Sequence, residues 1–209
     1  MLIYIAGIPG VGKTTIINNL IEKLNLTAHK SISVRGLPIL CKLAGNISPD
    51  EFRKLPDNIR EKYRPEMFKT IYNEDLNDPL TIRILDGHFA YYEANSMEYS
   101  IRPINKEDYQ QMKAIFVITS KPEKILERRN QDNEKRKDRT LSLEHIKEQE
   151  EIEIAESIKQ AKELKIPLLF ISNNSDINNV VNEIYFELIK LSLFRDEIIN
   201  SIANEIKFK

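Results

Sequence analysis

Apolar residues gather in five short runs along the chain, at positions 2–6, 31–34, 80–85, 114–119 and 167–172. Isoleucine, valine and phenylalanine dominate several of them, as in strands of a parallel sheet buried on both faces. The stretches between the runs are long enough for crossover helices. The alternation of the two patterns predicts a doubly wound α/β domain.

Helical spacing is clearest just after the first run, where Ile16, Ile17, Leu20, Ile21 and Leu24 predict a helix from Lys13 to about residue 24. Residues 37–78 alternate short helical patterns with Asn-Ile-Ser-Pro, Leu-Pro-Asp and Arg-Pro punctuation, and read as a helical section outside the sheet. Residues 87–111 have weak periodicity and predict loop and irregular structure. After the fourth run, Ser120 and Glu123 have capping-box spacing with Pro122 in the first turn, which predicts a helix carrying Ile125, Leu126, Arg128 and Arg129. Residues 130–141 are polar. Ser142 then reads as the N-cap of a long helix to about residue 164, with Ile146, Ile154, Ile158, Ala161 and Leu164 facing inward. Val180, Val181, Ile184, Tyr185 and Leu188 mark a closing helix, and Ile198, Ile199, Ile202 and Ile206 a further tail helix.

Composition narrows the class. The 209 residues correspond to about one domain. Thirty-one basic residues nearly balance 32 acidic ones, for a net charge of −1, which argues against a general nucleic-acid- or membrane-coating role. One cysteine, Cys41, allows no intramolecular disulfide and no cysteine zinc cluster, and the three histidines (His29, His88, His145) are not spaced as a metal motif. No apolar run approaches the 18 or so residues of a membrane span, and the first residues lack a basic leader, so a cytoplasmic location is expected.

The sharpest chemical signal is Gly7-Ile8-Pro9-Gly10-Val11-Gly12-Lys13-Thr14, which fits G-x-x-x-x-G-K-[ST] between a strand and a helix. Glycines let backbone N–H groups turn inward around phosphate oxygens, and the helix N-terminus adds further donors. Lys13 is expected to reach the β- and γ-phosphates of ATP, and Thr14 to place its hydroxyl on Mg2+. Thr15 continues the helix beside the bound nucleotide and is not expected to ligate the metal.

Ile84-Leu85-Asp86-Gly87-His88 sets Asp86 at the C-terminal end of an apolar strand, the edge at which open α/β sheets bind ligands. Asp86 is a candidate to organise Mg2+ with Thr14, or to accept a proton from an alcohol. His88 is a candidate substrate contact. Six basic residues lie between Arg128 and Arg139, diluted by three acids, and read as a short lid over 130–141. Arginine forks suit the charge of a transferring phosphoryl group, and a lid excludes water. For the acceptor, Arg35-Gly36 follows the second strand, and Arg53, Arg60 and Arg64 lie in the helical section.

These motifs together resemble the archaeal-type adenylate kinases and their P-loop nucleoside monophosphate kinase relatives. The resemblance runs over roughly residues 1–190. It is carried by the phosphate loop through Thr15, by Val34-Arg35-Gly36, by Arg53-Lys54-Leu55-Pro56 and by Ile84 to His88. It continues through Pro122 to Arg129, Asp138-Arg139, the helix after Ser142 and the run at 168–172. It implies a P-loop NTPase three-layer α/β fold with a parallel sheet, a helical acceptor-binding insert at 37–78, a lid at 130–141 and a C-terminal helical extension at 191–209. It implies Mg2+-dependent phosphorylation of AMP by ATP, and a homo-oligomer, a trimer in many members. By motif position, Arg129 with Arg136 or Arg139 would stabilise the transferring group, and Arg53 would contact the monophosphate. The aromatic run Phe89-Ala90-Tyr91-Tyr92 and the tail from Ser192 depart from the family pattern. Another nucleotide, a nucleoside or a small metabolite therefore stands beside AMP as acceptor. A nucleotide hydrolase and a non-catalytic nucleotide-binding module are the rival classes.

Overall fold

The computed structural model describes residues 1–27, 30–93, 98–104, 112–131 and 142–191. Five parallel strands form its centre: β1 (Leu2–Ala6), β2 (Ser31–Arg35), β3 (Ile82–Asp86), β6 (Met112–Thr119) and β7 (Leu168–Ser172), in the order β2-β3-β1-β6-β7. All five residues of β1 are buried, which is why its sequence is apolar without alternation. Its odd and even positions enter different cores. Ile3 and Ile5 join Ile16, Ile17, Leu20 and Leu24 of α1 (Lys13–Leu26) together with Val180, Ile184 and Leu188 from a helix, α8, at 177–191. Leu2, Tyr4 and Ala6 join Met67, Phe68 and Ile71 of α5 (Arg64–Asn77) and Ala161 of α7 (Leu143–Leu164). The result is the expected three-layer P-loop arrangement, with helices on both sheet faces.

The insert between β2 and β3 is helical, as its punctuation predicts. It comprises α2 (Gly36–Leu43), α3 (Pro49–Lys54), α4 (Asp57–Arg60), a 3-10 turn (Glu61–Tyr63) and α5. Ser48 caps α3 through a capping box with Glu51, and Pro49 occupies its first turn. Gly36 is packed so closely on Met67 that a Cβ there would lie 2.8 Å from the sulfur, which fixes α2 against α5.

Four expectations need correction. Residues 87–111 are not wholly irregular: β4 (Ala90–Glu93) and β5 (Glu98–Ile101) pair antiparallel. The third inner strand starts at Ile82, and Leu80 is exposed on the turn before it. Lys121, not Ser120, stands at the N-cap of α6 (Pro122–Gln131), because the Ile125 N–H donates to the Lys121 carbonyl. The Ser120 hydroxyl instead donates to the Asn173 carbonyl and the Asn174 side chain at the end of β7, joining two strand ends. Ile158 is half exposed, and α7 buries Gln149, Glu153, Ser157 and Gln160. The N-cap at Ser142 is as expected, its hydroxyl accepting from the His145 N–H. Of the expected lid at 130–141, residues 130–131 close α6, and 132–141 with Arg136 and Arg139 lie outside the described residues, as do His29 and all of the expected extension at 191–209 except its first residue, which ends α8. Among the described residues, no helix is long and apolar enough to cross a membrane.

Candidate functional site

The loop Gly7–Gly12 joins β1 to α1 at the C-terminal edge of the sheet, where the strand ladder ends and backbone N–H groups lose their partners. Gly12 is the N-cap of α1 at φ +103°, a conformation that a side chain resists. A Cβ there would also stand 2.4 Å from Asn173 Nδ2. That Asn173 side chain donates to the Val11 carbonyl at 2.8 Å, and Arg128 donates to the same oxygen at 3.1 Å.

The Lys13 side chain is buried, and its ammonium donates to the carbonyls of Gly7 and Ile8 and lies 3.9 Å from Asp86 Oδ1. The Thr14 hydroxyl donates to Asp86 Oδ2 at 3.1 Å. The parallel pairing of β1 with β3, which sets Ile5 opposite Asp86, brings the acid beside the loop. Lys13 and Thr14 at the start of α1 and Asp86 at the end of β3 therefore converge. Among the described residues, no three His, Cys, Asp or Glu side chains gather as a metal cluster. One carboxylate and one hydroxyl fit Mg2+ nonetheless, since that ion keeps several waters and takes its remaining oxygens from substrate phosphates. Thr15 follows on the exposed side of α1, and its carbonyl accepts from Asn19.

The arginines at the end of α6 turn inward. Arg129 is 1% exposed; its Nε donates to the Pro9 carbonyl and its Nη2 to Gln149 Oε1, both at 2.9 Å. Gly10, at φ +88°, leaves room for it: a Cβ there would meet Arg129 Cγ at 2.9 Å. Arg128 also bonds the Ser120 hydroxyl and the Asn173 carbonyl. Thus Arg128 and Arg129 both touch the phosphate loop through its carbonyls.

On the other side of Asp86, His88 is half-buried, with its ring 5.4 Å from that of Tyr91. Burial and the nearby charges of Lys13, Arg102 and Arg64 hold its pKa well below the usual histidine value, so its imidazole is neutral. Gly87 has no room for a side chain, because the Tyr4 hydroxyl, which donates to the His88 carbonyl, would lie 2.2 Å from a Cβ. Arg64 and Arg102 are each 15% exposed. Arg64 donates to the Arg102 carbonyl at 3.2 Å, both pair with Glu61, and the Arg102 guanidinium lies over the Tyr91 ring at 4.8 Å. A neutral imidazole, a phenol ring and two arginines so border the edge beside Lys13 and Asp86. Of the acceptor candidates, Arg35 is exposed at the end of β2, in register with Asp86, and Gly36 opens α2. Arg53 is exposed and paired with Asp50 at 2.8 Å.

Sequence reading missed two members. Arg102 belongs to a stretch without periodicity, and no signal in the chain ties it to Glu61. Glu153 reads as one of the outward charges of α7, yet it is 1% exposed. Its carboxylate accepts from the N–H groups of Gly7 (3.0 Å), Phe89 (2.9 and 3.0 Å) and Ala90 (2.7 Å). Burial pushes its pKa up, while the Ala90 N–H, Lys13 and the Phe89 and Gly7 N–H groups pull it down.

Comparison with known proteins adds two findings. The family model for the AAA domain matches residues 6–147. The shikimate kinase of Aquifex aeolicus vf5 has a similar solved structure, with a TM-score of 0.54 and 20% sequence identity, over 92% of this chain and 99% of that one. No curated protein sequence matches.

Proposed function

This chain belongs to the AAA-domain family, and from that premise we propose that it is a kinase transferring the γ-phosphoryl group of ATP to a small anionic acceptor. One observation carries the reading. Lys13, Thr14 and Asp86 meet at one sheet edge, with His88, Tyr91, Arg64 and Arg102 bordering the same edge. The loop N–H groups and Lys13 hold the donor phosphates. Thr14 and Asp86 would hold Mg2+, which would supply neutralisation of phosphate charge when bound. Ile8, Pro9, Gly10 and Val11 shape the cradle, and Thr15 lies beside it. Arg129, with Arg136 or Arg139 of the lid, bears on the phosphoryl group, Arg129 through Pro9.

On the acceptor side, guanidinium forks suit phosphate or carboxylate. Arg64 and Arg102 are better placed for this than Arg53, with Arg35, Gly36 and His88 completing the wall. AMP is the first acceptor to test, on the strength of the resemblance to adenylate kinases. Its phosphate oxygen attacks phosphorus, the bond to the ADP leaving group breaks, and no base is required. A hydroxyl-bearing anion is the second reading, favoured by Asp86 at the edge and by the likeness to a shikimate kinase. There the hydroxyl oxygen attacks phosphorus, the bond to the ADP leaving group breaks, and Asp86 takes the hydroxyl proton.

The test is transfer from labelled ATP with Mg2+ to AMP, CMP, UMP, GMP, dTMP, nucleosides and hydroxy acids including shikimate, beside a no-acceptor control. Transfer that needs one of these acceptors and vanishes in Lys13→Ala supports the proposal. Phosphate release independent of any acceptor, or no turnover at all, refutes it.

A further inference from the structure

The polar face of α7 joins the two sides of the site. Gln149, Glu153, Ser157 and Gln160 follow one another at helical spacing, and all are buried. Gln149 receives Arg129, which holds Pro9. Gln160 Oε1 accepts from the Ile104 N–H, just beyond Arg102. Glu153 does both at once: one carboxylate takes the first N–H of the phosphate loop and two N–H groups immediately after His88. Gly7 follows the last residue of β1, and Phe89 and Ala90 stand at the start of β4, where the Arg102 N–H donates to the Phe89 carbonyl and the Phe89 and Ala90 N–H groups turn to Glu153 instead.

We propose that Glu153 is a positioning residue, fixing the donor loop at Gly7 and the acceptor wall at Phe89-Ala90 in one register. The assignment rests on the reading above that these segments serve donor and acceptor. In-line transfer depends on that register, and a misplacement of about 1 Å costs about 100-fold in rate. Glutamine cannot substitute. Its Nε2 must face either Gly7 and Phe89 or Phe89 and Ala90, setting donor against donor. Aspartate keeps charge and both oxygens one methylene further back.

The experiment compares wild type, Glu153→Gln and Glu153→Asp. The probe is Mg2+ with a non-hydrolysable ATP analogue, read by amide resonances of 15N-labelled protein. In wild type, binding shifts the amides of the loop and also those of Phe89 and Ala90. Glu153→Gln keeps the loop response and loses the Phe89 and Ala90 response, and Glu153→Asp restores part of it. A response at Phe89 and Ala90 that is absent in wild type, or equal in Glu153→Gln, overturns the proposal. Failure of the analogue to bind wild type overturns it together with the kinase reading. With an active acceptor, Glu153→Gln lowers kcat about 100-fold while the KM for ATP moves less than about threefold, and Glu153→Asp recovers most of the loss. A loss that follows only the folded fraction, measured by circular dichroism at assay temperature, or only the KM for ATP, overturns it too. Absence of turnover in wild type defeats the kinase reading alone, and the resonances still decide Glu153.

Discussion

Replacing Arg129 by methionine removes a guanidinium that is 1% exposed and keeps most of its volume. Among the described residues two acceptors then lose their donor, the Pro9 carbonyl and Gln149 Oε1, each bonded at 2.9 Å. A buried acceptor left unpaired costs about 1–3 kcal/mol, so the pair costs about 2–6 kcal/mol. Relief of the desolvation carried by a buried cation offsets part of that. A net loss of about 3 kcal/mol is expected, against a total stability of about 5–15 kcal/mol for a domain. For a chain of this size that lowers Tm by about 6–12 °C. Because Pro9 lies inside the phosphate loop, affinity for Mg-ADP falls along with Tm. The assays are thermal melts and calorimetric titration of Mg-ADP into wild type, Arg129→Met and Arg129→Lys. Lysine keeps the charge but cannot serve both acceptors in their present places, so it falls between the two. An Arg129→Met protein that melts within about 1 °C of wild type refutes the strut reasoning. One that melts normally, binds Mg-ADP normally and yet loses transfer moves Arg129 to direct contact with the phosphoryl group.

Gly12→Ala forces a Cβ against Asn173 Nδ2 at a positive φ, and is expected to lose about 1–2 kcal/mol in stability. Mg-ADP affinity falls with it, and wild-type affinity by calorimetry contradicts the loop geometry. Glu150 is half-buried and accepts from the Ser120 N–H at 3.2 Å; burial raises its pKa and that N–H lowers it less. A raised carboxylate pKa in the folded state favours folding in acid and is a penalty at neutral pH. Glu150→Gln, which keeps an acceptor oxygen, therefore raises Tm at pH 7, and the gain fades as pH falls from the raised folded-state value towards about 4.3, the unfolded value, and is absent below it. Melts showing an equal or larger gain at pH 4 exclude this account.

The parallel strands and the phosphate loop were legible because each is local. The run Leu2–Ala6 is apolar throughout, and the glycines and Lys13-Thr14 follow it without a gap. The place of Asp86 beside Lys13 and Thr14 was legible from its position at a strand end. The hairpin β4–β5 was not, since two strands of four residues carry too few alternations to be distinguished from loop. Arg102 was invisible for another reason: its partners Asp57 and Glu61 come from the insert, some 40 residues away, and only the hairpin delivers it to them.

The inner face of α7 marks the deeper limit. Periodicity assigns Ile154 and Ile158 to the core and Glu153 to water, because a charged residue on a helix is ordinarily solvated. The fold reverses this at Glu153 for a reason that lies elsewhere in the chain. A phosphate loop is backbone withdrawn from a sheet, and so is the corner after β3. Both leave N–H groups inside the protein without strand partners. Apolar side chains cannot satisfy them, and water cannot reach them. A carboxylate offers two oxygens to three such donors, and α7 is the helix that passes beneath both segments. The polar spine of α7 thus follows from the irregular backbone that the site requires. Its signature in sequence, Gln149, Glu153, Ser157 and Gln160 on one face, becomes readable only when the unpaired donors are counted first.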